Sequence, residues 1–489
     1  LLLGMGGSSL FAEVCRNTFS ASRRHADLAV LDTTDPTAIR LHQRRCAPER
    51  LAVIVSSKSG TTAEIQALAA YFYGQLAAAG GAPGNHCLAI TDVGTPLEKQ
   101  AEAWAFRRTF VHGPDSGMDV GGRFSALTYF GLVPAALLGV DLDTLLNRAL
   151  EMLERCGPAR APAENPAAQL AAVVGSLAQA GREKVTLLTP PALQSFGTWL
   201  EQLIAESLGK SGTGVVPIFG EPVQAVSGDG QDRMVIELQL ASEPDAAIER
   251  RVQALQALGV PVVRIQWRDR YDLGAEVVKW EVATALAGFV IGVNPFDEPN
   301  VKESKDRTNA LLARYATEGR LEREEPWWCG EGIELCGAEP GAGGSLSQAL
   351  AGFLAQRRPH DYCAILSFLP RTSKLDDAAQ AMRTQLGRAL GTATMLGFGP
   401  RYLHSTGQLF KGGPDAGMFF LLTAEETEDL AVPGAPYTFG VLKQAQALGD
   451  FQAMRQRSRR ILHVHLGRDP ERAMARFLRA LDEAMSAVR

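Results

Sequence analysis

The sequence has no excess of basic charge: 49 Lys and Arg stand against 54 Asp and Glu, a formal net charge of −5. The electrostatic footprint of a phosphate-backbone binder is missing, so no nucleic-acid partner is expected. No apolar run reaches the length of a membrane span, so no membrane partner is expected, and the first residues lack the basic segment of a secretory signal. Seven cysteines are scattered without a C-x-x-C pair, and their odd number suits reduced thiols in the cytosol rather than a disulfide framework. Cys329 and Cys336 flank a Gly-rich bend, where no zinc site is expected. An initiator Met is missing too. Leu1 already lies in an apolar strand pattern, so the chain reads as a piece of a longer polypeptide with something upstream. What is present is ordinary globular material, 46% hydrophobic and 21% charged over 489 residues, enough for two or three domains.

The rest of the chain is organised around residues 51–62. An aliphatic run over 51–55 reads as a buried parallel strand, and it stops at Ser56-Ser57-Lys58-Ser59-Gly60-Thr61-Thr62 before a helical pattern to about 79. A strand that ends in small hydroxylated residues and opens a helix makes an anion site. The helix start offers unpaired N–H groups, the hydroxyls add donors, and Gly60 lets the backbone come close. Inositol, nucleotide or sugar phosphates could all use such a loop; a plain Ser/Thr-capped helix start is the alternative.

Upstream, GMGGS at 4–8 turns a first strand into a helix, and a second strand at 27–31 ends on Asp32. This approaches a dinucleotide fingerprint, but Ser9 replaces the third glycine, and a backbone cradle beside a substrate is the competing reading. Strands at 87–90 and 106–111 follow and lead to Gly113-Pro114-Asp115. Then DVGGRFS at 119–125 opens a helix over 126–138, where two glycines would let Arg123 turn into a cleft or cap a neighbour. Helices at 142–153 and 166–180 bridge to a second unit, with strands at 184–188, 215–219, 234–240 and 261–267 and helices at 194–208 and 274–291. Gly209-Lys210-Ser211 is not a nucleotide loop, because the glycine that motif needs at position 204 is Ile. Residues 326–345 read as a linker or flap. Beyond them, strands at 362–368, 392–398, 417–423 and 461–466 and helices at 373–390 and 471–487 form a third α/β region. His463 and His465 share a strand face but lack a third metal ligand.

Taken together, GMGGS (4–8), SKSGTT (57–62), GGRFS (121–125), ESLGK (206–210), NPFDEPNVKESK (294–305) and HSTGQ (404–408) resemble the phosphoglucose isomerase family over nearly the whole chain. The resemblance is greatest to the isomerase part of bacterial transaldolase–phosphoglucose isomerase fusions, which implies a transaldolase domain upstream. It implies an α/β fold with two sugar-isomerase (SIS) type αβα doubly wound parallel-sheet domains, 1–165 and 166–325, plus a C-terminal α/β region at 345–489. It also implies isomerisation of glucose 6-phosphate and fructose 6-phosphate through an enediolate, with no metal and no cofactor, in the cytoplasm. Glu206 would be the base, Arg123 would face the enediolate oxygens, and His404 and Lys305 would open the ring. Ser57, Lys58, Ser59, Thr61 and Thr62 would hold the phosphate. Gly6, Gly7, Ser8, Gly122 and Gln408 would add substrate contacts.

In stand-alone bacterial relatives the HSxGQ block lies between the ESxGK and NPFD blocks; here it follows both. Three arrangements stay open: the third region folds back onto the cleft, a neighbouring subunit of a homodimer supplies a histidine, or another group opens the ring. Two other functions are weighed against the isomerase. A non-catalytic SIS module that binds a sugar phosphate and regulates a fused transaldolase has no need of Glu206, Arg123 and Lys305 together. A nicotinamide-dependent dehydrogenase built on GMGGSS and Asp32 leaves SKSGTT and ESLGK unexplained.

Overall fold

The computed structural model describes residues 1–19, 25–113, 120–222, 230–337 and 344–488. Three sheets organise it. The first contains β1 (Leu2–Leu3), β2 (Val30–Leu31), β3 (Val53–Ser56), β4 (Cys87–Asp92) and β5 (Arg108–His112), all parallel in the order β2-β1-β3-β4-β5. The second contains β6 (Lys184–Leu188), β7 (Val216–Phe219), β8 (Arg233–Leu240) and β9 (Val262–Trp267), parallel in the order β7-β6-β8-β9. The fold is the α/β class expected. In the first sheet the strand order reverses between β1 and β3, and GMGGS and SKSGTT leave the carboxyl ends of those two strands. That crevice is where doubly wound sheets bind ligands.

Both faces of the first sheet are covered, which explains its unbroken apolar strands. Alternate side chains enter different cores. Leu2 and Ile54 join Phe11 and Phe130, a core that continues through the second sheet to Trp199 and Trp280. Leu3, Val53 and Val55 join Ile65, Leu68 and Phe72 of the Ala63–Ala78 helix.

The third sheet has six strands: β10 (Trp328–Gly330), β11 (Ile333–Gly337), β12 (Tyr362–Ser367), β13 (Ala393–Phe398), β14 (Gly417–Thr423) and β15 (Arg460–His465), in the order β10-β11-β15-β14-β12-β13. The four from β12 onward are parallel, while β10 and β11 add an antiparallel edge. The linker reading of 326–345 is therefore corrected over its first half: it is a hairpin whose Trp327 and Trp328 pack against the third core. Residues 338–343 of that stretch, with Pro114, Asp115 and Asp119, lie outside the described residues.

This third region shares its cores with the other two. Tyr362, Ala364 and Leu366 pack with Ala205, Val216 and Ile218 of the second unit. The Phe439–Gln456 helix sends Phe439, Leu442 and Ala445 into the core beside Ile65 and Tyr71, where the Tyr71 and Phe439 rings meet edge to face at 5.7 Å. Seven helices went unpredicted: Pro36–Arg45, Pro96–Ala103, Ala246–Ala257, Val301–Glu318, Leu346–Leu354, Gly407–Gly412 and Phe439–Gln456. Among the described residues, no helix is long and apolar enough to cross a membrane. His463 Nε2 and His465 Nδ1 both meet the Thr423 hydroxyl, at 2.7 and 2.9 Å, which accounts for the pair without a metal.

Candidate active site

After Ser56 the chain turns so that hydroxyls face hydroxyls. Ser57 Oγ lies 3.2 Å from Thr62 Oγ1 and accepts the Gly60 N–H, while Ser59 Oγ lies 3.0 Å from Thr61 Oγ1. Gly60 is required twice over: its φ is +65°, and a Cβ would stand 2.7 Å from the Leu97 nitrogen. Thr62 makes no capping hydrogen bond to the first-turn amides of the Ala63–Ala78 helix, so the capped-start alternative fails. Lys58 is held by Asp92, Nζ to Oδ2 3.1 Å. The loop thus bonds largely to itself, the Gly60 and Thr61 N–H groups donating to Ser57 and Ser59 Oγ, while Ser59 and Thr61 lie exposed.

Glu206 sits in the last turn of the Gln194–Leu208 helix and is buried. Burial pushes its carboxyl up to about 7 although Arg123 pulls it down. Its Oε2 accepts from Gln202 Nε2 at 3.2 Å and lies 3.8 Å from Arg123 Nη1. The Arg123 side chain, 2% exposed, is fully directed. Nε donates to Ser207 Oγ (2.8 Å), Nη2 to the Pro295 and Asp297 carbonyls (2.7 and 3.1 Å), and Nη1 to Glu298 Oε2 (2.8 Å). The blocks ESLGK, GGRFS and NPFDEPN therefore meet at one guanidinium.

His404 comes back to the same place despite its late position. Its ring Nε2 lies 2.8 Å from Glu64 Oε1, and its carbonyl accepts from Gln202 Nε2 at 2.9 Å. Burial works against charge on the ring, but Glu64 outweighs it and holds the His404 pKa above its ordinary value. Burial acts the opposite way on Glu64, and His404 more than offsets it, lowering that carboxyl. The glycine turns are matched to this closeness. A Cβ on Gly6 would stand 2.6 Å from the His404 carbonyl, and one on Gly7 only 1.9 Å from that of Gly122. Lys305 is exposed on the Val301–Glu318 helix, and its charge acts on both Glu64 and His404. Lys302 instead pairs with Asp306 on the surface. Gln408 is fully buried, its amide bonded to the Gly209 carbonyl and to Asn300, so it ties two blocks together. Asp32 is occupied by Arg401 at 3.1 Å, so the acid that the dehydrogenase reading reserves for a ribose is already paired.

The cluster contains residues that the motifs did not reveal. Glu64 falls one position beyond the hydroxyl loop and helix start. Its Oε1 also accepts from Gln446 Nε2 (2.6 Å), whose own oxygen accepts from Thr34 Oγ1 (2.9 Å). Asp450, fully buried, accepts from Lys411 Nζ (2.7 Å), Ser304 Oγ (2.6 Å) and the Tyr402 hydroxyl (2.7 Å). It thereby fixes the neighbours of both Lys305 and His404. Replacing Asp450 by Ala strands the Lys411 ammonium and should cost about 3–5 kcal/mol. Thermal and urea unfolding of the variant measure this, and unchanged stability would show that the network is not a support.

A sequence model of the family described as phosphoglucose isomerase matches residues 1–218. The glucose-6-phosphate isomerase of Enterococcus faecalis is 32% identical over 309 residues, 54% of this chain and 66% of that protein. That of Rubrobacter xylanophilus is 30% identical over 360 residues, covering 64% of this chain and 82% of its own length. The chain belongs to the phosphoglucose isomerase family. A solved structure of a hypothetical protein from Thermus thermophilus superposes with a TM-score of 0.58 at 27% identity, over 64% of this chain and 83% of that one. The matched share stops short of the near-complete cover expected from the motifs. In this phosphoglucose isomerase family member, His404, Glu206 and Arg123 form one connected cluster with Glu64 and Gln202 as the links, and Glu64 follows the hydroxyl loop by two residues along the chain.

Proposed function

We propose that this chain interconverts glucose 6-phosphate and fructose 6-phosphate through an enediolate, with Glu206 as the base. The observation that carries this is the Glu206 carboxyl: buried, poised near neutrality, beside a fixed guanidinium and one glutamine away from a carboxylate-backed histidine. A carbon acid needs a base that is ionised at neutral pH yet still basic, and burial supplies that compromise.

In the proposed sequence, Ser57, Ser59, Thr61, Thr62 and the loop amides around Lys58 hold the phosphate, and that remote binding energy orients the reacting carbons. The Gly6, Gly7, Ser8 and Gly122 turns pass close to the sugar. His404, whose charged form Glu64 favours, protonates the ring oxygen while Lys305 assists; the bond from carbon 1 to the ring oxygen breaks, the carbon 1 hydroxyl gives its proton to water, and the open aldehyde forms. Glu206 takes the proton from carbon 2, and the electron pair moves onto the carbon 1 oxygen, where Arg123 faces the developing charge. Glu206 then returns the proton to carbon 1 while the carbon 2 hydroxyl proton passes to the carbon 1 oxygen, leaving a ketone at carbon 2 and a hydroxyl at carbon 1.

A carboxylate base exchanges its proton with solvent; a direct hydride shift does not. Fructose 6-phosphate turned over in deuterium oxide should therefore give glucose 6-phosphate carrying deuterium at carbon 2, read by proton NMR. Turnover without label would refute the base, and absence of turnover with retained binding would make the chain a sugar-phosphate sensor.

His404 has its own test. Its Ala variant should convert the cyclic sugar about 10²-fold more slowly, the low end for a lost general acid, while an open-chain analogue slows less than about threefold. Equal slowing of both would remove His404 from ring opening.

A further inference from the structure

The Gln194–Leu208 helix has a second polar face. Gln202 and Glu206, four apart, look toward the reaction cluster, whereas Gln194, Thr198 and Glu201 fall at i, i+4 and i+7 on another side. These three line an open cavity of about 220 Å³ that is bordered by β13, the 401–406 segment and Arg383 of the Ser373–Leu390 helix.

The charges in this cavity are incompletely matched. Arg401 is already committed, to Glu13 at 2.6 Å and Asp32 at 3.1 Å. Arg383 is 2% exposed; its Nε and Nη2 are used by Thr394 and by the Phe219 carbonyl, but Nη1 makes no hydrogen bond among the described residues. Glu201 makes neither a hydrogen bond nor an ion pair among them. Burial pushes its carboxyl up to about 7, and Arg383 and Arg401 pull it back only in part. The Thr406 hydroxyl is buried there without a partner. A guanidinium edge and a carboxylate thus face one small space, close enough to feel each other and too far apart to pair. The Thr406 hydroxyl is the buried group left unmatched at a cost, while half-buried Glu201 is open to the cavity.

We propose that this cavity is a second ligand site, for a small zwitterion of the α-amino acid type, its ammonium on Glu201 and its carboxylate on Arg383. A simple anion would meet Glu201, and a simple amine would meet Arg383. A peptide terminus carries only one of the two charges, and a sugar phosphate brings extra negative charge. The occupant would also bridge the helix that carries Glu206 to the segment that carries His404.

Isothermal titration of the whole chain with glycine, L-alanine and L-serine tests this, with ethanolamine and acetate as single-charge probes. At least one amino acid should bind, and the single-charge probes should bind at least about tenfold more weakly, ~1.4 kcal/mol. Glu201→Gln should lower amino-acid affinity by about tenfold or more. Thr198→Leu, which fills the cavity without touching either charge, should abolish binding and carries the test if the first variant does not fold. Saturating fructose 6-phosphate should not compete. No heat from any of the three amino acids up to about 10 mM, roughly tenfold above a Kd of ~1 mM, would overturn the proposal. So would binding that Thr198→Leu leaves unchanged, or binding that the sugar phosphate displaces.

Discussion

A Glu206→Gln variant is expected to bind fructose 6-phosphate and to isomerise it ~10²–10⁴-fold more slowly, the range for a lost general base. The amide keeps the shape of the side chain but cannot take a proton from carbon. Folding is not expected to suffer. Burial raises the Glu206 carboxyl to about 7, so above that pH the native state holds an ionised group that the unfolded chain would ionise more readily. Removing that charge leaves stability at alkaline pH equal or higher, which separates a catalytic loss from an unfolding one. The pH profile gives a second readout. The wild-type kcat/KM should fall about tenfold per unit below the Glu206 pKa and decline again at higher pH as His404 loses its proton, and the residual activity of the variant should lack the acid limb. A variant that retains both rate and limb would place the base elsewhere.

The reaction cluster was partly legible in the sequence, and the division follows the physics. A loop such as SKSGTT shows itself because its chemistry is local: strand, hydroxyls, glycine and helix are consecutive. The Gln194–Leu208 helix, which was expected at those bounds, was visible for the same reason. Glu64 was not, because what makes it informative is a histidine 340 residues away. Nothing near it in sequence distinguishes a buried carboxylate from a solvent-facing one in a first helical turn.

The Phe439–Gln456 helix escaped for a related reason. It is enclosed on most sides, with Phe439, Leu442 and Ala445 in one core and Ala447, Phe451 and Met454 in another. Between them it buries Lys443, Gln446 and Asp450, each matched by a distant partner. A helix with apolar residues all round and polar residues inside has no amphipathic stripe to detect. The late position of His404 looks anomalous along the chain for the same underlying reason. The third sheet shares its core with the second unit, and so carries the 401–408 segment back against Gln202 and Glu64.

An Arg123→Met variant is expected to lose ~10²–10³-fold in kcat, the cost of removing a donor aimed at a developing oxyanion. The methionine keeps length and burial while removing the charge. Two effects should appear together. The enediolate loses its counter-charge, and Glu206 loses the neighbour that holds its pKa down, so the acid limb of the pH profile should move to higher pH. Raising the pH would then restore the ionisation of Glu206 but not the missing charge, and kcat should recover only in part. Arg123 also donates to the Pro295 and Asp297 carbonyls, so some loss of stability is expected as these lose a buried donor, about 1–3 kcal/mol. Loosening alone cannot move the acid limb, which makes that shift the deciding measurement. Arg123→Lys refines it. An ammonium preserves the sign of the charge but not the fork that reaches Ser207, Glu298 and the carbonyls at once, so the limb should stay near its wild-type position while kcat falls. If Met and Lys variants gave the same limb, the guanidinium would be serving as a strut between the ESLGK and NPFDEPN blocks. Charge development in the reaction would then have to be met by another group.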